Sequence, residues 1–409
     1  MLERRERICH EMCLSDIIIG NNKLERYGLT MFTDTMLFIK IVTMFALAFA
    51  IAFVLTPLSI RLAHKIGAVD VPLDKRRMHS RPIPRFGGIA LFLSTTISIL
   101  LLNGSFPKIQ IALIGGAFMY LLGAIDDLKN LKPLTKATGQ VIIACFVYMM
   151  DIRIDYISMN FTGGKYNFGD GLSLIITVLW IVGITNAVNL IDGLDGLAGG
   201  VTCIIALSLA YIAYIHGSIY GSVSVMLSLM ALAGACAGFL PYNFSPAKTF
   251  MGDGGALFLG YMIAVLSVIS PLKRATFIAA ITPIVALAIP IFDTLFAIIR
   301  RTVKRIPILE GDKGHLHHRL MKAGYGQRRS VLIIYGIVGI MGMVSVLISR
   351  ELYKDAFFLS LIAVLYLCVI LIEKKPKNKH RVKGKPSPEE TEEYHDVIKA
   401  PKEIRDDWD

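Results

Sequence analysis

The sequence predicts an all-α, polytopic integral membrane protein with about eleven transmembrane helices, and three observations carry that expectation. Hydrophobic residues fill 54% and charged residues 18% of 409 positions, a balance that no water-soluble globule could wrap without large exposed apolar patches. Most of the apolar residues fall into runs close to the roughly 17 to 25 residues that span a bilayer as a helix. Short clusters rich in Asp, Asn, His and Gly stand at the ends of those runs, where a carboxylate beside hydrocarbon is costly and marks function.

In chain order, spans are expected near 36–60, 86–103, 109–125, 138–151, 171–188, 197–215, 221–240, 254–270, 275–299, 331–349 and 356–372. The fourth is short, and the fifth runs straight into a polar cluster. Residues 1–35 are charged and mixed, without the basic start, apolar core and cleavage site of a signal peptide. They read as an N-terminal extension, either a segment ahead of a start codon at Met31 or Met36 or a dispensable tail, with a short external helix as the alternative. Residues 36–372 form the transmembrane domain. From Glu373 a basic cluster (Lys374, Lys375, Lys377, Lys379, Arg381, Lys383, Lys385) gives way to an acidic, Pro-containing stretch. This tail, 373–409, reads as disordered, its basic half placed to lie on anionic lipid headgroups.

Orientation follows from the basic residues. One set of alternating connections, with the C-terminal tail, carries 30 of the 43 Lys and Arg; the other set, with the N-terminal extension, carries 12. Leaving out the tail, the balance is still 20 against 12, so the C-terminus and all the polar clusters are expected in the cytoplasm. The net charge of +12 is thus a consequence of topology, and no nucleic-acid partner is expected. Six cysteines (Cys9, Cys13, Cys145, Cys203, Cys236, Cys368) are scattered without zinc-ligand spacing and read as small apolar fillers.

Four clusters carry the chemistry. Asp126 and Asp127 close the third span, with Lys129, Lys132 and Lys136 just after. Adjacent carboxylates repel, so either a cation sits nearby or one of the pair keeps a raised pKa and can accept a proton. In the run Asn189 to Gly196 (NLIDGLDG), Asn189, Asp192 and Asp195 recur every three residues and would share one face of a helix. The glycines among them suit a loop that approaches phosphate closely. Asp253 stands among glycines just before the eighth span, where it could cap the helix. It could also hold magnesium, which takes one or two protein carboxylates and fills its octahedron with water and substrate phosphates.

His315, His317, His318 and Arg319 lie in a long connection with Arg300, Arg301, Lys304, Arg305 and Lys313. No cysteine or second histidine pair lies near in sequence, and basic surroundings oppose a zinc ion. Recognition of a pyrophosphate or sugar phosphate fits better, with Arg319 supplying a bidentate fork.

In this order, Asp126-Asp127, NLIDGLDGLAGG (189–200), NFSPAKTFMGDGG (243–255) and GHLHHRL (314–320) resemble the polyprenyl-phosphate N-acetylhexosamine-1-phosphate transferases, glycosyl transferase family 4. The resemblance spans roughly residues 36–350. It implies a multi-helix membrane enzyme that moves a sugar-1-phosphate from a UDP-sugar to a lipid phosphate and releases UMP. The stretch Val69-Asp70-Val71-Pro72, with Arg77-Met78-His79 and Pro82 to Gly88, resembles the bacterial branch that uses UDP-N-acetylglucosamine and undecaprenyl phosphate. So does Arg319, where the branch that uses UDP-MurNAc-pentapeptide carries a third histidine.

The resemblance implies roles residue by residue. Asp253 matches a magnesium ligand, with Mn2+ able to substitute. Asp126 and Asp127 match a pair assigned to metal, lipid phosphate or proton abstraction. Asn189, Asp192 and Asp195 match a polar loop near nucleotide and metal, and Asn243 an Asn ten residues before the metal Asp. His315, His317 and His318 match the histidine motif; Arg81 and Arg85 are further candidates for phosphate contacts. The expected setting is the bacterial inner membrane, at the first membrane step of a cell-envelope polysaccharide such as teichoic acid or O-antigen. Direct attack by the lipid phosphate is favoured over a covalent aspartyl-phosphate. The alternatives are a phospho-N-acetylmuramoyl-pentapeptide transferase and, for the acids inside spans, a secondary transporter. Asp293, about 10 Å inside the ninth span at 1.5 Å per residue, is the transporter's best support and is otherwise expected to be paired within the bundle.

Overall fold

The computed structural model describes residues 35–70, 82–104, 106–159, 164–215, 220–269, 320–321 and 324–372. Ten long helices lie within them: α1 Thr35–Ile66, α2 Gly88–Leu102, α3 Pro107–Lys129, α4 Pro133–Met149, α5 Asp170–Ile191, α6 Leu197–Ile215, α7 Tyr220–Asn243, α8 Gly252–Ile269, α9 Gln327–Ser349 and α10 Tyr353–Ile372. Each stands where a span was expected. The ninth expected span, 275–299, lies outside the described residues, as do Asp293, the extension up to residue 34 and the tail from 373.

Seven of these helices are both long and apolar enough to cross a membrane: α1, α3, α5, α6, α7, α8 and α9. Helix α2 is a shorter apolar helix, and α4 runs only 17 residues. The protein is therefore a helical, multi-pass membrane protein, with seven spans established by length and composition among the described residues. The helix starts follow local chemistry. Proline opens α3 and α4 at the first turn, where its missing N–H costs nothing. Helix α3 stops at Asn130 in the left-handed conformation (φ 48°), a backbone state Asn tolerates.

Two small antiparallel pairs depart from the all-helical expectation. Strand β1 (Val69–Asp70) pairs with β2 (Ile83–Pro84), and β3 (Tyr156–Met159) pairs with β4 (Gly164–Asn167). Strands this short leave no periodic apolar signal, so the connections that hold them read as loops.

The centre of the bundle is α8, buried along nearly its whole length from Gly252 to Val268. It packs most extensively against α3 and α5, and also against α2. Helices α6 and α7 pair, α9 covers α6, and α10 packs on α9. At the far end of the bundle, Asn103 after α2 donates to the Ser224 carbonyl at the start of α7 (2.9 Å), and Arg350 after α9 donates to Tyr211 late in α6 (2.6 Å). Outward-facing residues such as Phe38, Leu101, Ile142, Leu179 and Phe357 stay exposed, as expected of surfaces that meet lipid. Cys236 is buried and Cys203 half-buried among apolar neighbours, which matches the filler role expected of them.

Candidate active site

Alternation of direction along the chain brings the ends of α3, α5 and α7 to the same face as the starts of α2, α4, α6, α8 and α9. The acids read from the sequence sit on that face. They therefore form one three-dimensional cluster, although up to 127 residues separate them along the chain.

The first element is the junction of α3 with α8. Asp127, in the last turn of α3, accepts hydrogen bonds from the backbone N–H of Asp253 (Oδ1, 2.9 Å) and of Gly254 (Oδ2, 3.0 Å). These donors belong to the first turn of α8 and have no partner inside their own helix. A carboxylate there also meets the positive end of the helix dipole. The cap on α8 is thus supplied from α3, and the sequence reading that gave Asp253 the capping role is corrected. The junction depends on two glycines. A Cβ on Gly123, one turn before Asp127, would lie 2.5 Å from the Asp253 backbone. Gly252 has φ +67°, and a Cβ on it would lie 2.4 Å from Asp127 Oδ2.

The Asp253 side chain then turns into a ring of partners. Lys136, in the first turn of α4, donates to Asp253 Oδ2 and to Asp126 Oδ2, the latter at 3.0 Å. Arg85, just after β2, lies 3.6 Å from Asp253 Oδ1 and 3.3 Å from Asp127 Oδ1. Asn189 in the last turn of α5 donates to Asp253 Oδ1 at 3.3 Å. Asp126 also accepts the Leu131 N–H at 2.7 Å, which fixes the short bend from α3 into α4 and points Lys136 back at the acids.

Arg85 is placed by backbone pairing of the β2 region with the segment before α8. The N–H of Phe250 donates to the Pro84 carbonyl (2.8 Å), while those of Gly87 and Gly88 donate to the Phe250 and Met251 carbonyls (2.9 and 3.0 Å). Thr249 Oγ1 adds a bond to the Pro84 carbonyl at 3.0 Å.

The expected face of Asn189, Asp192 and Asp195 is divided. Helix α5 ends at Ile191, and Gly196 takes φ +80° before α6 begins, so the three no longer share one helical face. Asn189 and Asp192 stay with the cluster. Burial, and then the negative charge of Asp253, push the Asp192 carboxyl up to about 7, with Arg85 pulling the other way. Asp195 turns to the α7–α8 connection, where it accepts the Ala247 N–H at 3.1 Å.

Asn243, expected to bind substrate, is 2% exposed. Its amide accepts from Gly196 N–H (3.1 Å) and donates to the Thr249 carbonyl (2.9 Å). It ties the Asp192–Gly196 turn to the segment leading into Asp253. Tyr335 of α9 holds the same turn by donating to the Gly196 carbonyl at 2.5 Å. Arg81, His315, His317, His318 and Arg319 lie outside the described residues.

Sequence reasoning singled out every carboxylate of the cluster but not Lys136, which it left as one of three lysines after the acid pair. The signal was Pro133: a proline at a first helical turn makes Lys136 part of that turn, facing back across a three-residue connection. As for chemistry, Asp126, Asp127, Asp192 and Asp253 face two cations, Arg85 and Lys136. With all six groups ionised the cluster keeps a surplus of two negative charges.

A family model for glycosyl transferase family 4 matches residues 109–271, the stretch that holds every cluster member except Arg85. A protein of Bacillus subtilis (strain 168) described as a probable undecaprenyl-phosphate N-acetylglucosaminyl 1-phosphate transferase is 39% identical over 334 residues, 81% of this chain and 91% of that protein. A decaprenyl-phosphate N-acetylglucosaminephosphotransferase of Mycobacterium tuberculosis is 35% identical over 306 residues, 68% of this chain and 75% of that one. An undecaprenyl-phosphate alpha-N-acetylglucosaminyl 1-phosphate transferase of Yersinia pestis is 26% identical over 296 residues, 71% and 79% of the two chains. The likeness to the first two runs well beyond the motifs, over two thirds or more of each chain, so the chain belongs to glycosyl transferase family 4.

Proposed function

We propose that this transferase moves N-acetylglucosamine-1-phosphate from UDP-N-acetylglucosamine to undecaprenyl phosphate and releases UMP. In this reading it works at the cytoplasmic face of the bacterial inner membrane and starts a cell-envelope polysaccharide on its lipid carrier. The observation that carries the reading is the Asp253 carboxylate at the start of α8, gripped from three other elements by Lys136, Arg85 and Asn189. The activities after which the relatives are named support the acceptor and the sugar. The basic bias of this side of the chain supports the orientation.

Magnesium fits the donor set. Oδ2 of Asp126 and Oδ2 of Asp253 already share one cationic group, the Lys136 ammonium, and the surplus of two negative charges that the cluster would carry once Asp192 gives up its proton suits a divalent ion. Asp253 and Asp126 are the residues that would hold it. Asp127 is committed first to the α8 backbone, which places one hydrogen bond on each of its oxygens. Magnesium draws most of its ligands from water and phosphate, so one or two carboxylates suffice. When bound, magnesium would neutralise the donor pyrophosphate and the charge that develops on the departing UMP.

The chain's own groups have positional and electrostatic work. An oxygen of the lipid phosphate attacks the phosphorus bonded to the sugar; the bond from that phosphorus to the bridging oxygen breaks, and its electron pair leaves with UMP. A phosphate monoester has its second pKa near about 6, so at neutral pH the attacking oxygen needs no base to remove a proton. Arg85, 36% exposed at its side chain, is the cation most open to an arriving polyanion. Lys136 is held deeper, where low polarity strengthens its effect on charge developing in transfer. Placing the cluster at helix ends sets the reaction level with lipid headgroups, so the carrier need not leave the bilayer.

The test is direct. Purified full-length protein in detergent is incubated with undecaprenyl phosphate, magnesium and either UDP-N-acetylglucosamine or UDP-MurNAc-pentapeptide, and UMP is measured. Release with the first donor, abolished by EDTA and restored by magnesium, is expected. Release only with the muramyl donor would overturn the sugar assignment.

A further inference from the structure

One turn deeper than the cluster, two side-chain amides meet across α4 and α5. Asn186 Nδ2 donates to Gln140 Oε1 at 2.6 Å, and Gln140 Nε2 donates back to Asn186 Oδ1 at 3.3 Å. Gln140 is fully buried, and Asn186 also donates to the Val182 carbonyl at 2.8 Å. Gln140 lies four residues after Lys136, and Asn186 three residues before Asn189, so each amide stands on the same helix face as a residue that touches Asp253. Lys136 reaches Oδ2 of that carboxylate and Asn189 reaches Oδ1.

We propose that Gln140 and Asn186 are positioning residues. Their reciprocal pair fixes the register of α4 against α5, and so sets the Lys136 ammonium and the Asn189 amide at the height where each meets one oxygen of Asp253. The physical basis is the absence of alternatives. Between helices in a bilayer, apolar packing alone distinguishes neighbouring registers poorly, because lipid tails are as apolar as the side chains. A two-way amide pair has one register that satisfies both partners, and a slide of one residue breaks both bonds and leaves the buried Gln140 amide unpaired. A displacement of about 1 Å at a catalytic group is enough to cost about 100-fold in rate.

The inference rests on the transferase reading, and its test separates the two. Three full-length variants are compared with wild type: Gln140→Leu, Gln140→Leu with Asn186→Leu, and Gln140→Asn with Asn186→Gln. Three quantities are read for each: thermal unfolding in detergent, UMP release, and the rate at which an amine-acylating reagent labels Lys136, with exposed Lys129 and Lys132 as internal references. The single leucine variant leaves the Asn186 carbonyl oxygen without its Gln140 donor and unfolds earlier. The double leucine variant removes both polar groups and regains stability. Its turnover number nonetheless stays about 10- to 100-fold down with KM little changed, and Lys136 labels several-fold faster. The swapped pair restores most of the turnover and the slow labelling. A double leucine variant with wild-type turnover and wild-type Lys136 labelling overturns the proposal, as does a swap that folds yet restores neither. If wild type releases no UMP but Lys136 labelling still follows the pair, the substrate reading falls and the positioning role stands.

Discussion

Asp127→Asn and Asp253→Asn remove one charge each from side chains that meet at one helix start, and the structure assigns them opposite consequences. The Asp127 carboxylate is 4% exposed and accepts two backbone N–H groups, at 2.9 and 3.0 Å. Asparagine keeps one acceptor oxygen and turns its amide hydrogens toward the second N–H. One donor of α8 is orphaned, and the surviving bond loses its charge assistance. Loss of a cap costs about 1 to 2 kcal/mol, and the change from a charged to a neutral acceptor about 1 kcal/mol more. The total is about 2 to 3 kcal/mol. The Arg85 contact adds little, because that guanidinium is partly open to water.

Asp253→Asn leaves all of this in place, since the cap uses its backbone N–H. Lys136 keeps Asp126, Arg85 keeps Asp127, and one repelling charge leaves the cluster. Stability should change by less than about 1 kcal/mol, while turnover falls at least about 100-fold because the carboxylate that would hold magnesium is gone. Thermal unfolding in detergent and UMP release, measured on both variants, decide the matter. The reasoning is refuted if Asp127→Asn unfolds with wild type, or if Asp253→Asn is the less stable of the two.

Three further outcomes are expected. Gly252→Ala should abolish UMP release and lower the unfolding temperature, since its Cβ would meet Asp127 Oδ2 at 2.4 Å in a backbone with φ +67°; a fully active alanine variant would show that this junction is not built as described. In metal-free protein the Asp192 carboxyl, raised from 3.8 to about 7 by burial and by Asp253, keeps its proton when folded and loses it when unfolded. Its contribution to stability is therefore full below pH 3.8 and declines as pH rises to about 7, by up to about 1.4 kcal/mol per pH unit. Unfolding in EDTA should show a flatter pH dependence for Asp192→Asn, and identical slopes would refute the shift. If the basic connection grips the donor, His315→Ala and Arg319→Ala should each lower kcat/KM about 10- to 150-fold, the effect of losing one contact of about 1.5 to 3 kcal/mol; wild-type kinetics in both would leave that connection a solvated face.

The helices were legible because a membrane span is the simplest of sequence signals. A long apolar run has one way to satisfy its backbone in hydrocarbon, and that is to close hydrogen bonds within itself. The ten described helices accordingly stand within a few residues of the expected spans; the largest departures are at the end of α1 and at the start of α4, whose first turn is polar and carries Lys136. The strand pairs were not legible, since Val69–Asp70 and Ile83–Pro84 are two residues each, and the second is held by hydrogen bonds from Thr249 and Phe250 far along the chain.

The candidate site was legible to the extent that an acid at a membrane boundary is expensive. That reasoning finds Asp126, Asp127, Asp192 and Asp253, but it treats every carboxylate alike and cannot say which of them face substrate. Division of labour among them depends on backbone groups, which carry no sequence signal. Asp127 is taken up by two N–H groups that need an acceptor only because α8 happens to begin there, and Asp195 by one N–H in the α7–α8 connection. Asn243, read as a substrate contact, spends its amide on Gly196 and Thr249 in the same way. Lys136 escaped notice for the opposite reason: a lysine beside a membrane helix is ordinarily a topological charge, and its role appears only when the α3–α4 bend brings its ammonium between Asp126 and Asp253. What sequence offers at such a site is the inventory of charges; the fold decides which of them hold the scaffold and which remain for the phosphates.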